Sequence, residues 1–311
     1  MPSRSARLLS TEYLNPRYLD LDLWPSLDAL EAMLDGQMAA VAAVRPALPV
    51  MAQAAEAAAE RLGASGRLIY VGAGTSGRIG VQDGVELTPT FNWPTERVAY
   101  AMAGGDGALL RSVENAEDDR AAAAADMAAL KLCRHDVVIG VAASGTTPFT
   151  VAALEAARAA GALTIGVANN PGAPLLGAAD FGVLCDTGAE VVAGSTRMKA
   201  GTAQKIVLNL FSTLLMIRLG RVYRGMMVDM RTSNAKLRQR GERMVERIAG
   251  CDADKAKAAF AAAKGNVKLA LLVAHEVELG RAASVLSRNN DNIRAALAEV
   301  GWGGDPVDDG C

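Results

Sequence analysis

The sequence predicts an α/β fold: a three-layer, doubly wound parallel sheet with an N-terminal helical segment and a small C-terminal helical module. Three observations predict it. Short β-branched runs, each closed by a Gly/Ser/Thr loop, alternate with Ala- and Leu-rich segments, the rhythm of strand and crossover helix. One of these runs leads directly into a G-x-G-x-x-G pattern, Gly72, Gly74 and Gly77, which opens a helix-like segment. Beyond Asp229 the strand signals stop, and helical segments broken at Gly250, Gly265 and Gly280 take over.

The elements follow in order. From Ser26 to about Leu62 the chain is Ala-rich with Leu, Met and Val at helical spacing, and Ser26, with Asp28 in the next turn, is the expected N-cap. Strands are expected at Leu68 to Val71, Arg97 to Met102, Asp136 to Val141, Thr164 to Ala168 and Phe181 to Cys185. Helices fill the gaps, notably Thr147 to Ala160 and Thr202 to Leu219. The segment from 206 to 220, IVLNLFSTLLMIRLG, is apolar nearly all round, which implies burial on more than one side. Domains are drawn at 1–62 (helical segment on the sheet), 63–228 (α/β domain) and 229–311 (helical module and tail). The closing EVGWGGDPVDDGC reads as a loose tail.

Composition removes several function classes. A chain of 311 residues that is 51% hydrophobic can bury a sizeable core, and a formal net charge of −2 gives no reason to expect nucleic acid. Cys133, Cys185, Cys251 and Cys311 form no C-x-x-C pair, and His135 and His275 stand far apart, so neither a disulfide framework nor a metal site is expected. The N-terminus lacks an apolar signal core, and no stretch is expected to reach the roughly 18 apolar residues of a membrane span. These features place the protein in the cytoplasm, with no membrane partner.

The glycine loop can hold phosphate in more than one way. A dinucleotide site needs an acidic residue about 20 positions on to bond the ribose, and Asp106 comes late, after two glycines. A P-loop needs a lysine where this loop has Thr75, Ser76 and Arg78. The chain then repeats the device: DVVIGVAASGTTPFTVAALEAAR is again strand, hydroxyl-rich loop and helix, and AEVVAGSTRMKAGTAQK adds Ser195, Thr196, Arg197 and Lys199. Hydroxyls and backbone N–H groups at helix N-termini suit a phosphate monoester. Thr75, Ser76, Ser144 and Thr147 are the foremost phosphate candidates, with Ser195 and Thr196 behind them. The competing reading is that each hydroxyl merely caps its own helix.

RLIYVGAGTSGRIGVQDGVELTPTF, VENAEDD, VIGVAASGTTPFTVAALEAAR and the long block GAEVVAGSTRMKAGTAQKIVLNLFSTLLMIRLGRVY together resemble the N-acetylmuramic acid 6-phosphate etherases, members of the sugar isomerase (SIS) fold group. The likeness continues through MMVDMRTSNAKL into the helical module. It implies cleavage of the lactyl ether at C3 of that sugar phosphate without a cofactor. It also implies two catalytic carboxyls: Glu86 in VQDGVE as the acid that protonates lactate and later activates water, and Glu117 in VENAED as the base at C2. Glu86 lies in an apolar segment, where partial burial would favour the protonated form an acid needs. Glu117 lies among Glu114, Asp118, Asp119 and Arg120, so a solvated face competes with the catalytic reading, and Glu114 is its nearest rival. The family's usual A-S-G-R-T-P has Thr146 in place of the arginine, and its D-A-S-E is DGVE here, with Gly84 and Val85. The resemblance further implies a homodimer with its site near the subunit boundary, so that Asn234 and Lys236 of TSNAKL reach a neighbour's substrate. An aldose–ketose sugar-phosphate isomerase or a non-catalytic sugar-phosphate sensor on the same fold are the alternatives, and the presence of both Glu86 and Glu117 argues against the sensor.

Overall fold

The computed structural model describes residues 9–232 and 234–302. The tail from residue 303 on, Cys311 included, lies outside the described residues. The chain divides into two compact units, the first holding the chain up to Val85 together with Thr95–Leu214, the second Glu86–Pro94 together with the chain from Leu215.

In chain order the first unit introduces helices α1 (Ser26–Ala43) and α2 (Leu48–Leu62), strand β1 (Leu68–Gly72), helix α3 (Gly74–Phe91), strand β2 (Val98–Met102), helix α4 (Arg120–Ala129), strand β3 (Val137–Ala142), helix α5 (Pro148–Ala159), strand β4 (Leu163–Ala168), helix α6 (Pro174–Ala178), strand β5 (Phe181–Leu184) and helix α7 (Lys199–Arg218). By chain continuity α3 and α7 end in the second unit. The strands form one parallel sheet in the order β2-β1-β3-β4-β5. This is the predicted doubly wound architecture. Every residue of β1, β3 and β4 is buried, which is why these strands read as unbroken apolar runs rather than alternating ones.

Alternation decides which helix each strand residue meets. Ile69, Val71 and Val138 point into a core shared with Ala123 and Met127 of α4, Phe149, Val151 and Leu154 of α5, and Leu175 of α6. Tyr70 points to the other face, against Gly80 of α3. The start of the sheet is pinned by Asp136, 1% exposed, which accepts from the N–H of Arg67 at 3.0 Å and pairs with its guanidinium at 2.7 Å. Burial works to raise this carboxyl's pKa, but the hydrogen bonds from Arg67 and from the N–H of Cys133 outweigh it and hold it below its ordinary value.

The second unit adds helices α8 (Ala235–Ala249), α9 (Ala253–Ala262), α10 (Val267–Ala274), α11 (Leu279–Arg288) and α12 (Ile293–Glu299). Its core gathers Val245, Ile248, Phe260, Leu271, Leu272 and Val285. Tyr223 and Val228 are buried in that same core, so residues on the N-terminal side of Asp229 group with the module.

Several expectations are corrected. Ser26 is the first residue of α1 rather than its cap, and Pro25, which takes the cap position, makes no side-chain bond. Trp302, in the stretch expected to be a loose tail, is held: its ring centroid lies 4.5 Å from that of His275, the planes tilted by 38°. Two helical stretches, 26–62 and 199–218, are long and apolar enough to cross a membrane by length and composition, each with mean hydropathy 1.3. Alanine lifts the first average, whereas large aliphatic side chains carry the second. In the α7 window 56% of residues are buried inside the protein, the mark of a core helix.

The contact of α3 with β1 is backbone against backbone. A Cβ on Gly72 would stand 2.8 Å from the Gly77 nitrogen, and one on Gly77 would stand 2.9 Å from the Gly72 oxygen and 2.4 Å from Met102 Sδ. Gly77→Ala should therefore destabilise the fold by about 2 kcal/mol, in the range of overpacked cores. Chemical denaturation measures this, and an unchanged midpoint would contradict the close contact.

Candidate active site

From β1 the chain crosses to β2 at one side, then returns past β1 to β3 at the other. The loops after β1 and β3 therefore flank the point where the winding reverses, at the carboxyl ends of adjacent strands, where open α/β sheets bind ligands. In the first loop Gly74 takes φ +51°, a left-handed conformation that costs glycine little and lets α3 begin abruptly. Thr75, half-buried, and Ser76, 8% exposed, occupy the first turn of α3.

In the second loop the Ser144 hydroxyl accepts from the Thr146 N–H at 3.1 Å. Thr147 sits at the N-cap of α5 without making a cap bond. Its hydroxyl is not spent on its own helix, so the capping reading fails at this residue. The third segment lies beside the first: a Cβ on Gly201 in the first turn of α7 would stand 3.6 Å from Thr75 Cγ2 and 3.3 Å from the Thr196 oxygen. The N-terminus of α7 is nevertheless occupied. Glu190, fully buried, accepts from the N–H groups of Lys199 and Ala200 at 2.9 Å each, and the Lys199 ammonium donates to the Ala189 carbonyl. Burial pushes the Glu190 carboxyl above its ordinary range, against the pull of those two N–H groups. Ser195 and Thr196 thus precede a helix end that already holds an anion of its own chain, unlike the starts of α3 and α5.

A cavity of about 360 Å³ opens at the carboxyl ends of β1 and β2. Ala73 and Gly74 of the first loop, Met102, Ser112, Glu114 and Glu117 are among its walls. Arg78 braces one side by donating to the carbonyls of Ala108 and Leu109 at 2.8 and 3.0 Å. None of Thr75, Ser76, Ser144, Thr147, Ser195 and Thr196 lines it. Glu117 is exposed in a short 3-10 turn, Ala116–Asp118, that left-handed Asn115 introduces. Its neighbours have other work: Asp119 caps α4 through the Ala122 N–H, and Arg120 pairs with Glu155. Both Glu114 and Glu117 border the cavity, so the geometry keeps them as rivals.

Glu86 opens the Glu86–Pro94 stretch and is exposed, as is Val85 before it. The burial expected of Glu86 is absent from the single chain. The buried carboxylate of α3 is Asp83, 2% exposed, one turn earlier. It accepts from the Tyr70 hydroxyl at 2.8 Å, from the Asn209 amide at 2.6 Å and from the Ser212 hydroxyl at 3.2 Å. Burial raises its pKa and prevails over these three bonds, which lower it. Tyr70 is itself pushed well above its ordinary value, by burial and then by Asp83, and stays a donor. Tyr100 stacks on Tyr70 at 6.1 Å, and burial, with Asp83 second, pushes its hydroxyl up to about 12. This packing explains Gly84, where a Cβ would stand 2.7 Å from the Tyr100 hydroxyl. No local pattern announces this network beyond one signal: Asn209 and Ser212, polar residues one turn apart within the most apolar stretch of α7.

In the second unit Asn234 caps α8, its side-chain oxygen accepting from the Leu237 N–H at 2.9 Å, and Lys236 is exposed in the first turn.

Comparison with known proteins agrees with this geometry. Residues 50–158 match the glucokinase regulatory protein N-terminal SIS domain, and residues 114–214 match the SIS domain. A Deinococcus radiodurans protein described as N-acetylmuramic acid 6-phosphate etherase is 53% identical over 85% of this chain and 86% of its own length. One from Streptomyces avermitilis is 46% identical over 93% and 94%. Another, from Vibrio cholerae and described as N-acetylmuramic acid 6-phosphate etherase 1, is 44% identical over 93% and 97%.

The buried Asp83 should leave a pH signature. A carboxyl whose folded pKa is raised stabilises the fold below its unfolded value, ordinarily 3.8, and loses that contribution as pH rises through the folded value. Wild type should therefore gain stability relative to Asp83→Asn as pH falls from neutrality toward about 4. Urea midpoints of the two proteins across that range measure it. A difference that does not vary with pH would contradict the assignment.

Proposed function

The chain belongs to the N-acetylmuramic acid 6-phosphate etherases of the SIS fold group, and from that premise we propose that Glu86 and Glu117 divide its acid–base chemistry. The enzyme is a carbon–oxygen lyase. It cleaves the D-lactyl ether of N-acetylmuramic acid 6-phosphate, giving N-acetylglucosamine 6-phosphate and D-lactate, a step in the recycling of cell-wall sugar. The observation that supports a base on the Glu114–Glu117 segment is the cavity at the strand ends, which that segment borders together with the first glycine loop; Glu86 rests on the family resemblance.

An alkoxide is a poor leaving group, so the ether is cleaved from the opened sugar, whose aldehyde acidifies the proton on C2. Glu117 takes that proton, the C3–O bond breaks, and Glu86 gives its proton to the departing lactate oxygen. Water then adds to C3 of the unsaturated aldehyde, with Glu86, now ionised, accepting its proton, and C2 is reprotonated by Glu117. The sum is one water consumed and both carboxyls restored. In this reading Glu86 gains the water-poor setting it lacks in the single chain when substrate or a second subunit covers it. Thr75, Ser76, Ser144 and Thr147 hold the 6-phosphate, with Ser195 and Thr196 in a lesser part, and Asn234 and Lys236 contact substrate as well. Thr147 is the best supported of these, its hydroxyl being unspent at a helix N-terminus.

The enzyme acts as a cytoplasmic homodimer. Support comes from α1 more than from α7. The large apolar α7 side chains Val207, Leu208, Phe211, Leu215 and Met216 are already buried, and Leu210 and Ile217 are 45% and 40% exposed. Along α1, Leu27, Leu30, Leu34, Met38 and Val41 recur at helical spacing and are each more than half exposed. A stripe of this kind marks an interaction surface.

Glu86→Gln should lower D-lactate release by about a hundredfold or more, the scale of a lost general acid. In deuterated water Glu117→Ala should abolish proton exchange at C2. If Glu114→Ala abolishes it instead, the base is Glu114. Leu30→Glu with Leu34→Glu should halve the mass seen by light scattering, and a wild-type protein that is monomeric and fully active would contradict the dimer.

A further inference from the structure

Lys268, in the first turn of α10, is completely buried, a rare state for lysine. All three of its ammonium protons are matched: Nζ lies 2.6 Å from Asp229 Oδ2, 2.7 Å from the Asp291 carbonyl and 2.9 Å from Asp291 Oδ2. Asp229 belongs to the MVDMRTSNAK loop, a few residues before Asn234 and Lys236. The same Asp229 oxygen, Oδ2, lies 3.6 Å from Arg221 Nη1. Arg221 in turn donates to the carbonyls of Phe91 and Asn92 at 2.8 and 3.1 Å, and its guanidinium lies 5.0 Å over the Trp93 ring. Phe91 is the last residue of α3, the helix that carries Glu86.

One line of charge, Asp291 to Lys268 to Asp229 to Arg221, thus joins the helical module to two stretches proposed to act on substrate. The loop has a second tie, from the Thr232 hydroxyl to the Gly265 carbonyl at 3.4 Å, just before α10. We propose that Lys268 is a positioning residue, through which the C-terminal module fixes the Asp229 segment and the start of α8, with Asn234 and Lys236, in the geometry that binds substrate. The inference rests on the reading of Asn234 and Lys236 as substrate contacts. A buried ion pair is a costly way to fill space, and apolar residues of similar volume stabilise as well or better. An ammonium held by three directed bonds fixes where Asp229 lies, whereas an apolar contact would let the loop slide.

Lys268→Met combined with Asp229→Asn tests this, since it removes both buried charges and keeps their volumes. If the loop then spends about a tenth of its time in the competent geometry, KM rises about tenfold. Amide hydrogen exchange between Asp229 and Lys236 should rise with it. KM is the informative readout, because a smaller folded fraction lowers the maximal rate but leaves KM unmoved. A wild-type KM in the double variant, or unchanged exchange in the loop, would overturn the inference. Lys236→Ala is the control. A raised KM there with a wild-type KM in the double variant refutes the positioning role alone, whereas a wild-type KM in Lys236→Ala refutes the site reading beneath it.

Discussion

The seating of α3 on β1 is the contact on which the rest of the structure depends. Gly72 and Gly77 meet with no side chain between them, and Met102 fills the space beside Gly77. That closeness brings the first turn of α3, with its free N–H groups, to the rim of the sheet beside the loop after β3. One face of the same helix then turns Asp83 inward to Tyr70, Asn209 and Ser212. The Glu86 turn follows, so a helix placed for packing reasons carries the proposed phosphate contacts at its start and the proposed acid further on.

Carboxylates sort by surroundings. Asp83, Asp136 and Glu190 are buried, and each accepts two or more hydrogen bonds from named groups, as a buried charge must. Glu86 and Glu117 are exposed. A side chain that must gain and lose protons at a substrate needs access, and partners that satisfied it permanently would compete with that work. Glu190 makes the contrast at helix starts, because its carboxylate takes the N–H groups of α7 while α5 begins with the Thr147 hydroxyl uncommitted.

The strands were legible nearly to the residue, since β-branched runs bounded by glycine loops have few other structures to adopt; β3, expected at Asp136 to Val141, is Val137–Ala142. The hydroxyl loops were legible as loops. What escaped were tertiary facts: that Asp83 rather than Glu86 is the buried carboxyl, that Glu190 caps α7, and that Trp302 closes on His275. Each depends on a partner distant in sequence, and no local pattern encodes the meeting. The apolar character of α7 was read correctly, yet its own chain covers most of it, and the larger exposed stripe lies on α1. The Ala-rich segment preceding the sheet showed helical spacing without showing which face would remain open.

The ether is broken by elimination and restored as a hydroxyl by water at C3. Turnover of N-acetylmuramic acid 6-phosphate in oxygen-18 water, with both products weighed by mass spectrometry, tests it directly. Elimination followed by hydration puts one heavy oxygen at C3 of the amino sugar phosphate and leaves D-lactate with its original ether oxygen. Heavy oxygen in the lactate, with an unlabelled sugar hydroxyl, would contradict it.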